Sequence, residues 1–324
     1  MNIFEKRLNI LPYEYPNLNA FKDAIRHSYW IHSEFNYTSD INDYKSNVNE
    51  IERDVIKKCM LAISQIEVNV KTFWGDLYKR MPKPEIGFIG ATMNESEARH
   101  ADSYQNLLYI LGLEKEFETL LEVPCIINRI NYLNKYLDGT RSKDNKMFTK
   151  SLLLFTLLVE NVSLFSQFYL LMSFNKEKNL FKGMSNVVEG SSKDEELHAE
   201  LGIELINIIK NENPEWFDDE FKELIYSACK KAYLAECGIL DWVFEKGELD
   251  FISKENIKEF IKDRINKSLI KINFDKIFEI NSELLKPTLW FEIELKSTKE
   301  GDFFNKRQID YSKKTKSITE DDLF

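Results

Sequence analysis

The chain has 324 residues, 43% hydrophobic and 13% aromatic, enough to bury the core of one large helical domain or of two average ones. A net charge of −10 argues against a nucleic-acid surface, which needs a basic patch. Only 11 Gly and 7 Pro interrupt it, so long helices are expected over many short strands and turns. Cys59, Cys125, Cys229 and Cys237 form no CxxC pair, and the N-terminus lacks a basic-then-apolar leader; reduced thiols in a cytoplasmic protein are expected.

Residues 1–20, with Pro12 and Pro16, read as an irregular arm, and Leu18 to about Phe35 as a helical, aromatic stretch containing Trp30. The first long helix is expected from Asn47 to about Lys79, with Ile51, Val55, Met60, Ile63, Ile66, Val70, Phe73 and Trp74 as its apolar positions. Glu67 falls inside that stripe, and a buried lone carboxylate needs a metal, a cation or a proton. Lys71, one turn on, offers an ordinary i,i+4 ion pair. Met81-Pro-Lys-Pro84 breaks this helix, and a second runs from about Glu85 to the residue before Gly112. Pro124 opens a helix to about Leu137, and Gly139 to Asn145 is a polar loop.

A long helix is expected from about Lys146 to Phe174. Its apolar part is long enough to span a membrane, yet Glu160, Asn161 and Gln167 sit in the middle, where a carboxylate is costly in lipid. No membrane role follows; a core helix with one inward-pointing acid does. After Gly183 a helix carries Asp194, Glu195 and His198 to about Ile209; Pro214 opens another over Phe217–Phe244, and helical stretches follow at Lys254–Asn273 and Phe274–Leu285. From Lys296 the chain turns charged and polar and ends Thr319-Glu-Asp-Asp-Leu-Phe324. Such a segment is expected to be a mobile tail, its terminal Leu-Phe suited to a partner's groove.

The chemistry concentrates in two Glu-x-x-His pairs, Glu97/His100 and Glu195/His198. Positions three, four and seven apart share a helix face, so Tyr104 points the same way as Glu97 and His100. Two such pairs, with one further acid from each of two other helices, form the ligand pattern of dimetal carboxylate bundles. Glu67 and Glu160 are the two further acids. Four carboxylates balance two divalent cations, and oxygen-rich ligation with one imidazole per metal suits iron or manganese better than zinc or copper. His27 and His32 lie outside the pattern and read as packing or surface residues. Tyr104 stands where an oxidised dimetal centre would take its electron and proton. Asp194 is placed to accept a hydrogen bond from the far nitrogen of His100 and to face the indole N–H of Trp30.

These motifs, with Phe303-Phe304-x-Lys-Arg307-x-x-x-Tyr311 in the tail, resemble the small, radical-generating subunit of class I ribonucleotide reductase over nearly the whole chain. The resemblance implies an all-α, ferritin-like domain over residues 1–295 and a tail, 296–324, that docks on the large subunit. It implies a homodimer that makes and stores a one-electron oxidant for the reduction of ribonucleotides to deoxyribonucleotides. It assigns Glu67, Glu97, His100, Glu160, Glu195 and His198 to the metals, Trp30 and Asp194 to the radical-transfer route, and Tyr311 to the relay into the large subunit. Glu67 departs from the Asp of many members; Glu there with Tyr104 retained is most similar to the dimanganese subgroup activated by superoxide. Two manganese ions are therefore favoured, with two iron ions or a mixed Mn/Fe pair as alternatives. Lys71 then has a second reading, attraction of an anionic oxidant. The choice between Tyr104 and the metals as the oxidant's seat, and the need for an activating protein, stay open. The other reading is a dimetal oxidase acting on a bound small molecule, which would keep the six ligands without needing Trp30, Asp194 and Tyr311 together. No glycine-rich phosphate loop is present to bind a nucleotide.

Overall fold

The computed structural model describes residues 2–300, without the side chains of 69–72, 135–136, 138, 141 and 297–300. Its helices are α1 Asn19–His27, α2 Thr38–Asn42, α3 Glu50–Arg80, α4 Pro84–Leu111, α5 Glu114–Glu118, α6 Pro124–Leu137, α7 Asn145–Leu154, α8 Phe165–Lys178, α9 Lys182–Glu212, α10 Asp219–Val243, α11 Lys254–Lys271, α12 Ser282–Leu285 and α13 Leu289–Glu300. Among the described residues no strand forms beyond one isolated bridge, Leu249 to Ile252. The fold is all-α and ferritin-like.

Local sequence explains where the long helices begin and end. Asn49 and Glu52 cap α3 reciprocally, each side chain taking the other's backbone N–H. Pro84 occupies the first turn of α4, where its missing N–H costs nothing, and Gly112 closes that helix with φ 71°. The N-terminus of α9 has no local cap. Asp40 accepts there from the backbone N–H groups of Gly183 at 3.1 Å and Met184 at 2.5 Å, a cap supplied from more than a hundred residues away.

Four of these elements close a ring: α3 packs on α4, α4 on α9, α9 on α8, and α8 on α3. The apolar side chains of all four fill the centre, with α10 and α6 against one flank and α1 against α4 and α9. The apolar helix that could have crossed a membrane, Asn145–Lys178, has its most apolar window wholly buried in this bundle. Gly202 on α9 lets that helix press against its neighbour, since a Cβ there would stand 2.1 Å from Thr156 Oγ1.

Three expectations change. Between α7 and α8 the helix is not α: Phe155–Ser163 winds as a π-helix, and Glu160 lies within it. The apolar composition of this segment suits either winding, so nothing local announces it. The Leu18–Phe35 stretch is α-helical only to His27, with a single 3-10 turn at His32–Glu34; Trp30 lies in the non-helical segment between them, its carbonyl held by Arg99 Nη1 at 2.9 Å. Residues 274–281 are irregular instead of helical. Asn266 from α11 accepts from the N–H groups of Ile277 and Phe278 at 3.0 and 3.2 Å, replacing the bonds a helix would have made.

The chain divides into two units, between Thr288 and Leu289. The second is described only for α13, which includes the first residues of the segment expected to be tail. Tyr311 and the remainder of that tail lie outside the described residues.

Candidate metal centre

Glu67 comes from α3, Glu97 and His100 from α4, Glu160 from the π segment that leads into α8, and Glu195 and His198 from α9. None of the six is more than 2% exposed. They fall into two overlapping groups, Glu97–Glu160–Glu195–His198 and Glu67–His100–Glu195, each with its ligand atoms within 4.8 Å of one another. Each group holds one imidazole, and Glu195 belongs to both, as a carboxylate bridging two ions would.

The Nδ1 atoms of both imidazoles face the acids. His100 Nδ1 lies 2.9 Å from Glu195 Oε1 and 3.6 Å from Glu97 Oε2; His198 Nδ1 lies 3.0 Å from Glu97 Oε1 and 3.2 Å from Glu195 Oε2. Both oxygens of Glu67 and Glu97, one of Glu195, and Nδ1 of His100 make no hydrogen bond, although all are buried. Orphaned lone pairs at this density are costly unless something cationic satisfies them. The donor set of four carboxylates and two imidazoles fits a pair of divalent ions of the manganese or iron type.

Electrostatics within the cluster run in opposing directions. Burial raises Glu67 well above the usual carboxylate range, reinforced by the charges of Glu97 and Glu195. Burial and the Glu195 charge do the same to Glu160. Burial also works against ionised Glu195, but hydrogen bonding from Glu160 and the nearby imidazoles outweigh it and hold Glu195 well below its ordinary value. For His100, burial favours the neutral ring, yet Asp194, Glu195 and Glu97 together raise it well above an ordinary histidine. His198 is raised likewise, against its burial, by Glu195 and Glu97.

Around these six, the structure supplies positioning contacts. His100 Nε2 lies 3.2 Å from Asp194 Oδ2, so a proton there leaves Nδ1 free to bind a metal. The same oxygen accepts from Trp30 Nε1 at 3.0 Å, and the Trp30 and His100 rings stack with centroids 5.9 Å apart. Gly190 makes room for the indole, since a Cβ would sit 2.8 Å from it. Trp30, Asp194 and His100 thus form the continuous chain expected from the sequence. Tyr104 is fully buried and its hydroxyl has no hydrogen-bond partner. Burial, then the Glu67 charge, keep this phenol firmly protonated, with the Ser191 hydroxyl opposing.

Some contributors were not singled out beforehand. Trp74, expected only as an apolar position, donates from Nε1 to Glu160 Oε1 at 3.1 Å. Its separation of seven residues from Glu67, two helical turns, was the available signal. Ser96 donates to Asp194 at 3.2 Å, and Arg99 places its guanidinium 3.7 Å from the same carboxylate; neither has a signature in the sequence. A cavity of about 410 Å³ opens between α3, α4 and α5 and reaches Glu67 and Tyr104, with Ser64, Gln105, Leu108 and Phe117 on its walls. Lys71 lies one turn beyond Glu67 on α3, but its side chain is outside the described residues. His27 is exposed, and His32 lies 3.5 Å from Asp102 at the surface, away from the cluster.

The family model for the ribonucleotide reductase small chain matches residues 7–284. A probable ribonucleoside-diphosphate reductase small subunit of Invertebrate iridescent virus 3 is 23% identical, the alignment covering 97% of this chain and 86% of the relative. In fold, the chain is similar to the dimanganese(II)-NrdF crystal structure from Streptococcus sanguinis, with a TM-score of 0.76 and 16% identity over 89% of this chain and 99% of that one. It is also similar to an R2-like ligand-binding oxidase reconstituted with a Mn/Fe cofactor, with a TM-score of 0.71 and 18% identity over 82% and 96%. The two structural likenesses speak to the fold; the family match covers all six clustered side chains and the Trp30–Asp194–His100 chain. This chain belongs to the family of ribonucleotide reductase small chains.

Proposed function

We propose that the protein is the small subunit of a class I ribonucleoside-diphosphate reductase, making and holding a one-electron oxidant that a large subunit uses to reduce ribonucleotides to deoxyribonucleotides for DNA replication. The observation that carries this reading is the buried chain from Trp30 through Asp194 to His100, with contacts of 3.0 and 3.2 Å. An oxidase that works on its own bound substrate has no need of a hydrogen-bonded route leading away from its metals.

In this reading Glu67, Glu97, His100, Glu160, Glu195 and His198 hold two metal ions. When bound, the pair would supply the oxidising equivalent by reacting with an oxygen species. The rest is done by the chain. Asp194 fixes the His100 tautomer and joins it to Trp30, so that electron movement along the route is matched by proton movement on hydrogen bonds already made. Tyr104, buried and with its hydroxyl unpaired, would either hold the radical or stand beside metals that hold it.

Glu at position 67 together with Tyr104 favours a dimanganese centre, with diiron and mixed Mn/Fe as the alternatives. The tail ending in Leu323-Phe324 is proposed to dock on the large subunit, with Tyr311 as the relay residue, and the working unit is proposed to be a cytoplasmic homodimer. An activating protein that delivers the oxidant would use the cavity that ends on Glu67 and Tyr104. That cavity also favours the second reading, a dimetal oxidase whose small-molecule substrate would sit there.

The test is metal analysis and low-temperature electron paramagnetic resonance on protein from its native host, followed by turnover with the large subunit. Two manganese per chain with a multiline coupled signal, and deoxyribonucleotide formation lost in Trp30→Phe, are expected. A narrow tyrosyl signal abolished in Tyr104→Phe would place the oxidant on Tyr104. Absence of stoichiometric metal, or turnover that survives loss of Trp30, would overturn the assignment.

A further inference from the structure

Arg264 lies on α11, outside the four-helix ring, and is only 5% exposed. Its Nε donates to the carbonyl of Asn161 at 2.5 Å, and its Nη2 pairs with Glu196 Oε2 at 3.1 Å. The guanidinium lies over the Phe165 ring, 3.5 Å from the centroid, which fixes its plane. Asn161 directly follows Glu160, and Glu196 directly follows Glu195. One rigid fork therefore grips the chain next to two carboxylates of the same group, Glu97–Glu160–Glu195–His198. Neither gripped residue adjoins Glu67 or His100 in the chain.

The backbone around Glu160 needs such a grip. A π-helix has a wider, less regular ladder than an α-helix and is rarely sustained beyond a single turn. Side chains stabilise this one from within, Asn161 Nδ2 donating to the Thr156 carbonyl at 3.0 Å and Ser163 Oγ to that of Leu158 at 2.9 Å. Arg264 comes from another helix and ties the backbone of the π segment to α9. A planar guanidinium suits this task because its donors diverge in fixed directions, whereas a lysine ammonium is a single point on a flexible stem.

We propose that Arg264 is a positioning residue that sets the separation and orientation of Glu160 and Glu195, and hence the affinity of the metal position they share with His198. The proposal rests on the dimetal reading above. Groups that orient metal ligands typically carry about 10- to 100-fold in metal affinity, and that is the loss expected when the fork is removed.

The experiment is a Mn²⁺ titration of the full chain against a competing chelator, with site occupancies read by anomalous X-ray scattering from crystals at limiting metal. Wild type is expected to take two ions. Arg264→Gln is expected to lose about 10- to 100-fold at the Glu160–His198 position and clearly less at the Glu67–His100 position, which shares only Glu195 with it. Arg264→Lys, which keeps a cation for Glu196 but not the fork, falls between them. Glu196→Gln, which leaves Arg264 in place, gives a smaller loss at the same position, and with Arg264→Lys keeps the test valid if Arg264→Gln does not fold. Equal losses at both positions would mark Arg264 as a general structural residue and overturn the proposal, as would unchanged binding in these variants. A wild-type protein that binds no stoichiometric manganese or iron would instead overturn the dimetal reading itself.

Discussion

Loading the centre with two divalent ions should release protons held by its own ligands. Burial keeps Glu67 and Glu160 protonated well above the usual carboxylate range, and neighbouring acids keep His100 and His198 charged well above an ordinary imidazole. Two carboxyls and two imidazoles make up to four protons, since Glu195 is already ionised. Metal binding requires ionised carboxylates and free Nδ1 atoms, so these protons must leave. Each adds about 1.4 kcal/mol per pH unit to the pH dependence of binding, which sums to about 5 kcal/mol per pH unit over both ions. The sign follows from the raised values: affinity falls as pH drops, and the slope vanishes only once pH passes above the raised values. Isothermal titration with Mn²⁺ near neutral pH, in two buffers of different ionisation enthalpy, counts the protons directly. Glu67→Gln should release one fewer. Binding with no net proton release, or affinity that stays flat as pH is lowered through neutrality, would refute the reasoning.

Trp74→Phe removes the 3.1 Å N–H donated to Glu160 while keeping an aromatic ring; it should cost about 1.5–3 kcal/mol of metal binding at the Glu160 position, read in the same titration. Gly202→Ala forces a Cβ to 2.1 Å from Thr156 Oγ1 and should destabilise the fold by about 1–3 kcal/mol in urea, because α9 must retreat from the π segment. Glu236 is fully buried near Arg129, outside both ligand groups, and burial pushes it from 4.5 up to about 7. An acid raised in the folded state gives full stability below its ordinary value and loses it as pH climbs towards 7, here by about 3 kcal/mol. Glu236→Gln should therefore flatten the stability profile between pH 4.5 and 7, measured by urea unfolding, and an unchanged slope would show that another group is responsible.

The ligand helices were legible because their logic is local. Glu97, His100 and Tyr104 share a face by helical spacing alone, as do Glu195 and His198, whatever else the chain does. Glu67 and Glu160 stood out because a charge inside an apolar stripe requires a partner. The breaks at Pro84, Gly112 and Pro124 placed helix ends to within a residue or two, since Pro and Gly act on their own backbone. By contrast, the irregular 274–281 segment depends on the side chain of Asn266, and the end of the first aromatic helix brings Trp30 under Arg99; neither neighbour is adjacent in sequence.

What this sequence determined by itself was the helical class, the candidate ligand types and the shared helix face of each histidine and the glutamate three residues earlier. Periodicity and the cost of burying charge are properties of a stretch of chain, and they need no knowledge of the neighbours. Only the tertiary structure decided that Glu195 serves both groups, that Glu160 rides on a π-helix, that Trp74 holds it, and that Arg264 grips the chain beside two ligands. Those facts depend on separations of a few ångströms between helices far apart in the chain, and such distances are set only when the bundle packs.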